Sequence, residues 1–245
     1  MKFEYLELKK FLQYIAANYK VTTLKDWDGS NSIILRHDLE LCVEDAYKIH
    51  LLEKECGIKS SIFVLTTCHS YNPASEKNRL MLQEINKNGF EIGLHFDPTI
   101  YQPGENLQKK VEEEANYLSS IIGNKVKSVS LHRPALTHKN KDFPLFKNFY
   151  NAYDPKVFSP NHYISDSNGI FRKDIYNFIK KGDNSTIQIL LHPIHYMKNG
   201  KNYEDRITSF IKDFTQEIDK NFKTMSTYKN SIKNKKLFDY ITKKR

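Results

Sequence analysis

The chain has 245 residues, 39% hydrophobic content and a formal net charge of +9, from 38 Lys and Arg against 29 Asp and Glu. That length and apolar share suffice for one substantial core, and no run of about 18 apolar residues is present to cross a bilayer. Three Cys, with no C-x-x-C pair, argue against a disulfide framework or a Cys-based metal site; Lys spread among Asn reads as a solvated surface rather than a nucleic-acid reader.

Met1-Lys2-Phe3-Glu4 places an acid where the apolar part of a signal peptide would begin, so a cytoplasmic protein is expected. Residues 4–19 carry Leu6, Leu8, Phe11, Leu12, Ile15 and Ala16 near helical spacing and predict an amphipathic helix. A turn over 26–30 delivers the chain into the first core strand, and Trp27 in that turn reads as a packing residue rather than a sugar platform. Ile33-Ile34-Leu35 begins that strand as a β-branched, buried run, which ends abruptly in Arg36-His37-Asp38-Leu39-Glu40.

A helix over 43–56 follows, closed by Gly57, then a strand over 60–67 and a polar loop, Cys68-His69-Ser70-Tyr71-Asn72-Pro73. A helix over 76–88 feeds the strand Phe90-Glu91-Ile92-Gly93-Leu94-His95. After a loop over 97–104 come a helix over 105–122 capped by Gly123 and a strand over 127–132. This alternation calls for a parallel α/β sheet with right-handed crossovers.

From 134 to 182 the periodicity weakens among Phe143, Phe146, Tyr153, Phe158 and Tyr163, with short strands expected at 151–153 and 162–165. A strand over 185–192, a long helix over 203–222 and a Lys-rich helical tail over 226–245 complete the chain. A single domain over 1–245 is expected, with 1–30 as N-terminal helix and lead-in.

Four apolar runs thus end in Leu-His or Leu-Arg-His, at His37, His95, His132 and His192. The carboxyl ends of parallel strands share one rim, so these endings should converge there. One His at a strand end is usually structural, but four buried ionisable ends with no function would carry a desolvation cost for nothing. Asp38, Glu40, His95, His132 and His192 are the residue types of a hydrolytic metal site, and Arg133 could orient a carboxylate base or hold an oxyanion. His50 and His138 are assigned to structure or solvent. The nucleophile-elbow, P-loop and dinucleotide fingerprints are missing, and the chain has only nine Gly.

At these residues the sequence resembles the polysaccharide deacetylase (NodB-homology, carbohydrate esterase family 4) superfamily, in particular a divergent branch found among bacterial surface-polysaccharide biosynthesis proteins. Arg36-His37-Asp38-Leu39-Glu40 resembles that branch's Arg-His-Asp-Val-Asp, and the segment from Gly89 to Asp97 resembles its Gly-His-Glu-Ile-Gly-Leu-His-Tyr-Asp. His132-Arg133-Pro134, Leu190-Leu191-His192-Pro193, the segment from Gly57 to Phe63 and Tyr71-Asn72-Pro73 also look like the branch.

The resemblance implies a deformed (β/α) barrel, usually seven-stranded, and divalent-metal hydrolysis of an acyl group on a sugar. Mapped onto this chain, Asp38 is similar to the catalytic base, Arg133 to the Arg that orients it, and His192 to the general acid. Glu40 is similar to the metal carboxylate and His95 to the first metal His, although Asp38 and Glu40 could exchange roles. His37, His69, Tyr71, Asp97 and His195 are the expected substrate-binding set.

Three departures matter. Thr99 stands where the family has its second metal His, Glu40 is a methylene longer than the branch's Asp, and Phe90 replaces a His. His132, because it ends a core strand, is the preferred third metal ligand, with Asp97 as the alternative. The expectation is a zinc-type carbohydrate deacetylase removing acetyl from a nucleotide- or lipid-linked amino sugar in surface-glycan (lipopolysaccharide or capsule) assembly. No nucleic acid partner is expected, and any membrane contact would be peripheral, through the basic tail. The alternative is a metal-independent or catalytically silent barrel that binds a sugar or scaffolds glycan assembly.

Overall fold

The computed structural model describes residues 1–134, 143–159, 161–182, 185–198, 203–233 and 236–237. It divides into two compact units, 1–198 and 199–245. In the first unit the strands β1 (Val21–Thr22), β2 (Ile33–Leu39), β3 (Ser61–Val64), β4 (Glu91–Phe96), β5 (Ser128–Leu131), β6 (Tyr150–Asn151), β7 (Tyr163–Ser165) and β8 (Ile187–Leu191) form one sheet. Its main path is β6-β5-β4-β3-β2-β8-β7, seven strands as expected, and β1 pairs with the start of β2 beside that path. Every pairing is parallel.

The sheet is curled. Gln188 of β8 donates to the carbonyls of Ala152 and Val157 at 2.9 and 3.0 Å, so the chain leaving β6 reaches across the interior to a strand near the opposite edge. No pairing joins β6 to β7 among the described residues, which leaves a barrel with an open seam.

Strand alternation sorts the residues by face. Outward-facing Ile33 and Leu35 of β2 and Ile187, Ile189 and Leu191 of β8 share a buried cluster with the helix α1 (Tyr5–Asn18), which contributes Leu8, Phe11, Leu12 and Ile15. The inward face holds a polar network beside Ile34, Phe63 and Leu190: Arg36 and Asp38 of β2, Ser61 of β3, Glu91 and His95 of β4, Ser130 of β5 and Gln188 of β8 make hydrogen bonds or ion pairs within it. Full burial of each large apolar side chain stabilises by about 1.5–3 kcal/mol, so the packing energy lies mainly outside the lumen.

The helices follow the sequence signals. The helix α2 (Val43–Glu55) buries Val43, Ala46, Ile49 and His50, and α3 (Glu76–Lys87) buries Leu82 and Ile85. In α4 (Leu107–Ile122), Val111, Ala115, Leu118 and Ile122 make the buried stripe, Asn106 caps the first turn through Lys109 N, and Gly123 ends the helix at φ +72. Glu114 of α4 accepts from Thr66 and from the Tyr101 hydroxyl, tying the loops after β3 and β4 to the helix. The Trp27 indole donates to Ser30 O and Thr186 Oγ1, at the end of the barrel opposite the strand termini, which suits packing and not sugar stacking.

At the floor of the lumen, Glu91 accepts from Ser61 Oγ at 2.6 Å and from Lys25 N at 3.1 Å, while Leu24 N donates to Ser61 Oγ. Burial pushes the Glu91 carboxyl up, partly offset by these donors. Above it Gly93 has no room for a side chain: a Cβ there would lie 2.6 Å from the Phe63 ring and Ser128 Oγ.

In the second unit, helices run over Tyr203–Phe222 and Ser226–Ile232. The rest of the expected tail helix, at 234–235 and 238–245, lies outside the described residues, as does His138. No helix among the described residues is long and apolar enough to cross a membrane. None of the three cysteines is in a disulfide, and each is half-buried.

Candidate active site at the carboxyl ends of the strands

Asp38 and His95 lie within β2 and β4, Glu40 follows β2, and His132 and His192 come directly after β5 and β8. Because all these strands run the same way, their ends meet. Among the described residues, one oxygen of Glu40 and one ring nitrogen each of His95 and His132 lie within 4.8 Å of one another. His132 Nδ1 is 3.1 Å from His95 Nε2 and 3.9 Å from Glu40 Oε1. His192 Nε2 comes within 3.9 Å of the same Glu40 oxygen.

Each imidazole has its other nitrogen facing an oxygen. His95 Nδ1 is 3.3 Å from Ser130 O, His192 Nδ1 is 2.6 Å from Asp166 Oδ1, and His132 Nε2 is 4.0 Å from Asp97 Oδ2. The His192 and His95 contacts are within hydrogen-bond reach and orient those rings, whereas Asp97 only approaches His132; the inner nitrogens of His95 and His132 face each other across the group.

The three rings differ in charge, for reasons visible in their surroundings. Burial drives the His95 imidazolium down to about 4, against the opposing pull of Asp38, and burial also lowers His132. Both are neutral at pH 7, as metal ligands must be. His192 is buried too, but its hydrogen bond to Asp166 and the Asp166 charge overcome that penalty and raise it to about 9. Asp166, fully buried, also accepts from His192 N at 3.0 and 3.1 Å. His192 therefore holds a proton at neutral pH, so the second group of potential ligands, Asp166, His192 and His195, is the poorer cation site.

Asp38 sits below this group, 2% exposed, with Oδ2 3.9 Å from His95 Nδ1. Burial alone would raise its carboxyl, but the Arg36 charge, with smaller help from His95, His192 and Ser130, holds it below the usual carboxylate range. Arg36 Nη2 donates to Asp38 Oδ2 at 3.3 Å and to the Tyr153 hydroxyl at 3.0 Å, and Nη1 donates to Gln188 Oε1 at 2.8 Å. The guanidinium lies over the Tyr153 ring, 4.9 Å from its centroid. Asp38 Oδ1 has no hydrogen-bond partner among the described residues and is left with acceptor capacity.

Arg133 does not fill the role expected for it. It is exposed, with left-handed backbone at φ +49, and the guanidinium in contact with Asp38 is that of Arg36. The reason is the strand period of two, which puts residues 36 and 38 on one face. The same period turns His37 away from the lumen: its Nε2 lies 2.7 Å from Glu53 of α2, and both side chains are fully buried.

The other expected substrate contacts divide. The Tyr71 hydroxyl is committed to scaffold, donating to Leu39 O and accepting from Leu65 N. His69 is exposed on the loop after β3, and His195 packs its ring 5.5 Å from that of His192. Asp97 stands beside His132, holding Thr99 through its other oxygen. Asp166 and Gln188 carried no signal strong enough to be singled out in the sequence, since Asp166 follows a three-residue strand in the stretch where periodicity fails.

No family model and no curated protein matches the chain. Solved structures do. A mutant of a CE4 family pseudoenzyme from Bacillus anthracis, with restored enzymatic activity, has a TM-score of 0.44 at 11% identity, over 77% of this chain and 64% of that one. The Xyl-CE4 domain of a multidomain xylanase from the hindgut metagenome of Trinervitermes trinervoides has a TM-score of 0.44 at 15% identity, over 80% and 84%. A mutant of the Bacillus subtilis peptidoglycan deacetylase PdaC has a TM-score of 0.44 at 16% identity, over 78% and 87%. The likeness is one of fold.

Proposed function

We propose that this protein is a metal-dependent hydrolase that removes an acyl group, most simply acetyl, from an amino sugar. The observation that carries the reading is the meeting of Glu40, His95 and His132 within 4.8 Å, beside a base held by Arg36 and an acid held by Asp166. Two neutral imidazoles and a carboxylate suit a divalent cation of the zinc type. A cation bound there supplies Lewis acidity toward the acyl carbonyl and a more acidic water.

The residues of the chain perform the remaining work. Asp38, kept ionised by Arg36 and with Oδ1 free, accepts the proton of the attacking water. The new C–O bond forms as that proton leaves, giving a tetrahedral centre. His192, protonated at neutral pH, then donates its proton to the sugar nitrogen as the C–N bond breaks. The products are the carboxylic acid and the free amine. The partly exposed Glu40 side chain keeps the group open to substrate, and the exposed Arg133 and His69 follow β5 and β3 on the same rim.

The substrate class proposed is a nucleotide- or lipid-linked amino sugar of surface-glycan assembly in the cytoplasm, since the +9 charge favours phosphate-bearing donors. The test is acetate release by the purified full chain, loaded with zinc, from a panel of N-acetylated sugar nucleotides. Release that requires both metal and His192 is the expected result. A folded, zinc-loaded protein that releases no acid from any member would overturn the reading and leave a sugar-binding barrel.

A further inference from the structure

Thr99 occupies a place of its own in this rim. Its backbone N and its hydroxyl both donate to Asp97 Oδ1, at 2.9 and 2.6 Å, which fixes the carboxylate in one orientation. Asp97 is 7% exposed, and its second oxygen, Oδ2, is turned toward His132 Nε2 at 4.0 Å. On the far side of the same ring, Nδ1 faces His95 Nε2 and Glu40 Oε1. His132 thus lies between a clamped carboxylate and the group of ligating atoms. His95 is placed by the same logic, with Ser130 O behind its Nδ1.

We infer that Thr99 and Asp97 are positioning residues that orient His132 as a metal ligand through Nδ1. This rests on the cation reading of the Glu40, His95 and His132 group and extends it to residues that touch neither cation nor substrate. Carboxylates behind a ligating imidazole fix its tautomer and raise its basicity, and losing one typically costs about 10–100-fold in metal affinity. The Thr99 hydroxyl, bonded directly to Asp97 Oδ1, acts by preventing the carboxylate from rotating away from the ring.

The test is zinc affinity of the purified full chain, measured by competition with a chromogenic chelator. The variants are Asp97→Asn, Thr99→Val and Thr99→Ser, each alone and in a His132→Ala background, with apo-protein melting curves as the check on folding. Wild type is expected to bind one zinc, Asp97→Asn to bind about 10–100-fold more weakly, and Thr99→Val to be weakened in the same direction. Thr99→Ser, which restores the hydroxyl, should recover the affinity. In the His132→Ala background Asp97→Asn and Thr99→Val should change nothing further.

Undiminished affinity in a folded Asp97→Asn variant overturns the inference. So do losses that add fully to that of His132→Ala, because they make Asp97 an independent ligand. A wild-type chain that binds no divalent cation overturns the metal reading itself, and that result is distinct from either of the others.

Discussion

Replacing Arg36 with methionine keeps most of the side-chain volume while removing the only guanidinium in contact with Asp38 among the described residues. Both side chains are buried, at 0% and 3% exposure, so the carboxylate left behind has no solvent to turn to. Breaking such a pair from one side costs about 3–5 kcal/mol, and the hydrogen bonds to Gln188 and Tyr153 lost with it are within that range. The penalty should depend on pH in a definite direction. In the wild type the Asp38 carboxyl is held below its ordinary value, so its contribution is present above the unfolded value near 3.9 and is lost only as pH falls through the lower folded value. Without Arg36, burial dominates and raises the same carboxyl, so the variant gains stability as pH falls and Asp38 takes up a proton. Urea unfolding at pH 8, 6.5 and 5 should show a deficit of about 3–5 kcal/mol at pH 8 that narrows toward pH 5. Adding Asp38→Asn should recover much of it. A deficit below about 1 kcal/mol, or one that does not change with pH, would refute the account of the pair.

His192→Gln should lower kcat by about 10²–10⁴-fold with little change in KM, because it removes a proton donor and not a binding group. The wild-type rate should fall as pH rises through about 9, where His192 loses its proton, and Asp166→Asn should move that limb to lower pH; steady-state pH profiles check both. Glu91→Gln addresses the lumen floor. The raised Glu91 carboxyl contributes fully below its unfolded value and loses that contribution as pH rises through its folded value, so the amide variant should melt at or above the wild-type temperature at pH 8 and lose its advantage near pH 4.5, as thermal scans across pH would show.

The strand endings were legible because two simple rules determine them: parallel strands put their carboxyl ends on one rim, and an apolar run that stops at an imidazole marks where that rim lies. Glu40, His95 and His132 meet as those rules require. The role given to Arg133 rested on its place beside His132 and on the resemblance, whereas Arg36 was available from alternation alone, two residues before Asp38 on the same strand. That alternation also sends His37 to Glu53 and away from the expected substrate contacts.

Other features were too short to register. The strand β1 has two residues, and the helix Ile175–Lys181 is seven long, although its Asp174 cap and Gly182 ending stood in the sequence. Asp166 was hidden because its surroundings are ordered by aromatic packing of Phe143, Tyr153, Phe158 and Tyr163, which leaves no periodic trace.

The hydrophilic lumen divides the labour of each strand between its two sides. Cohesion comes from the greasy exterior gripped by helices, and reactivity from the wired interior, so a damaging change on one side need not touch the other. A frameshift in pairing by one position would exchange the two, driving arginine and aspartate beneath the helices and isoleucine into the mouth. Such a slipped molecule would lose its glue and its chemistry together, which gives the correctly threaded barrel a wide margin over its nearest misfolded competitor.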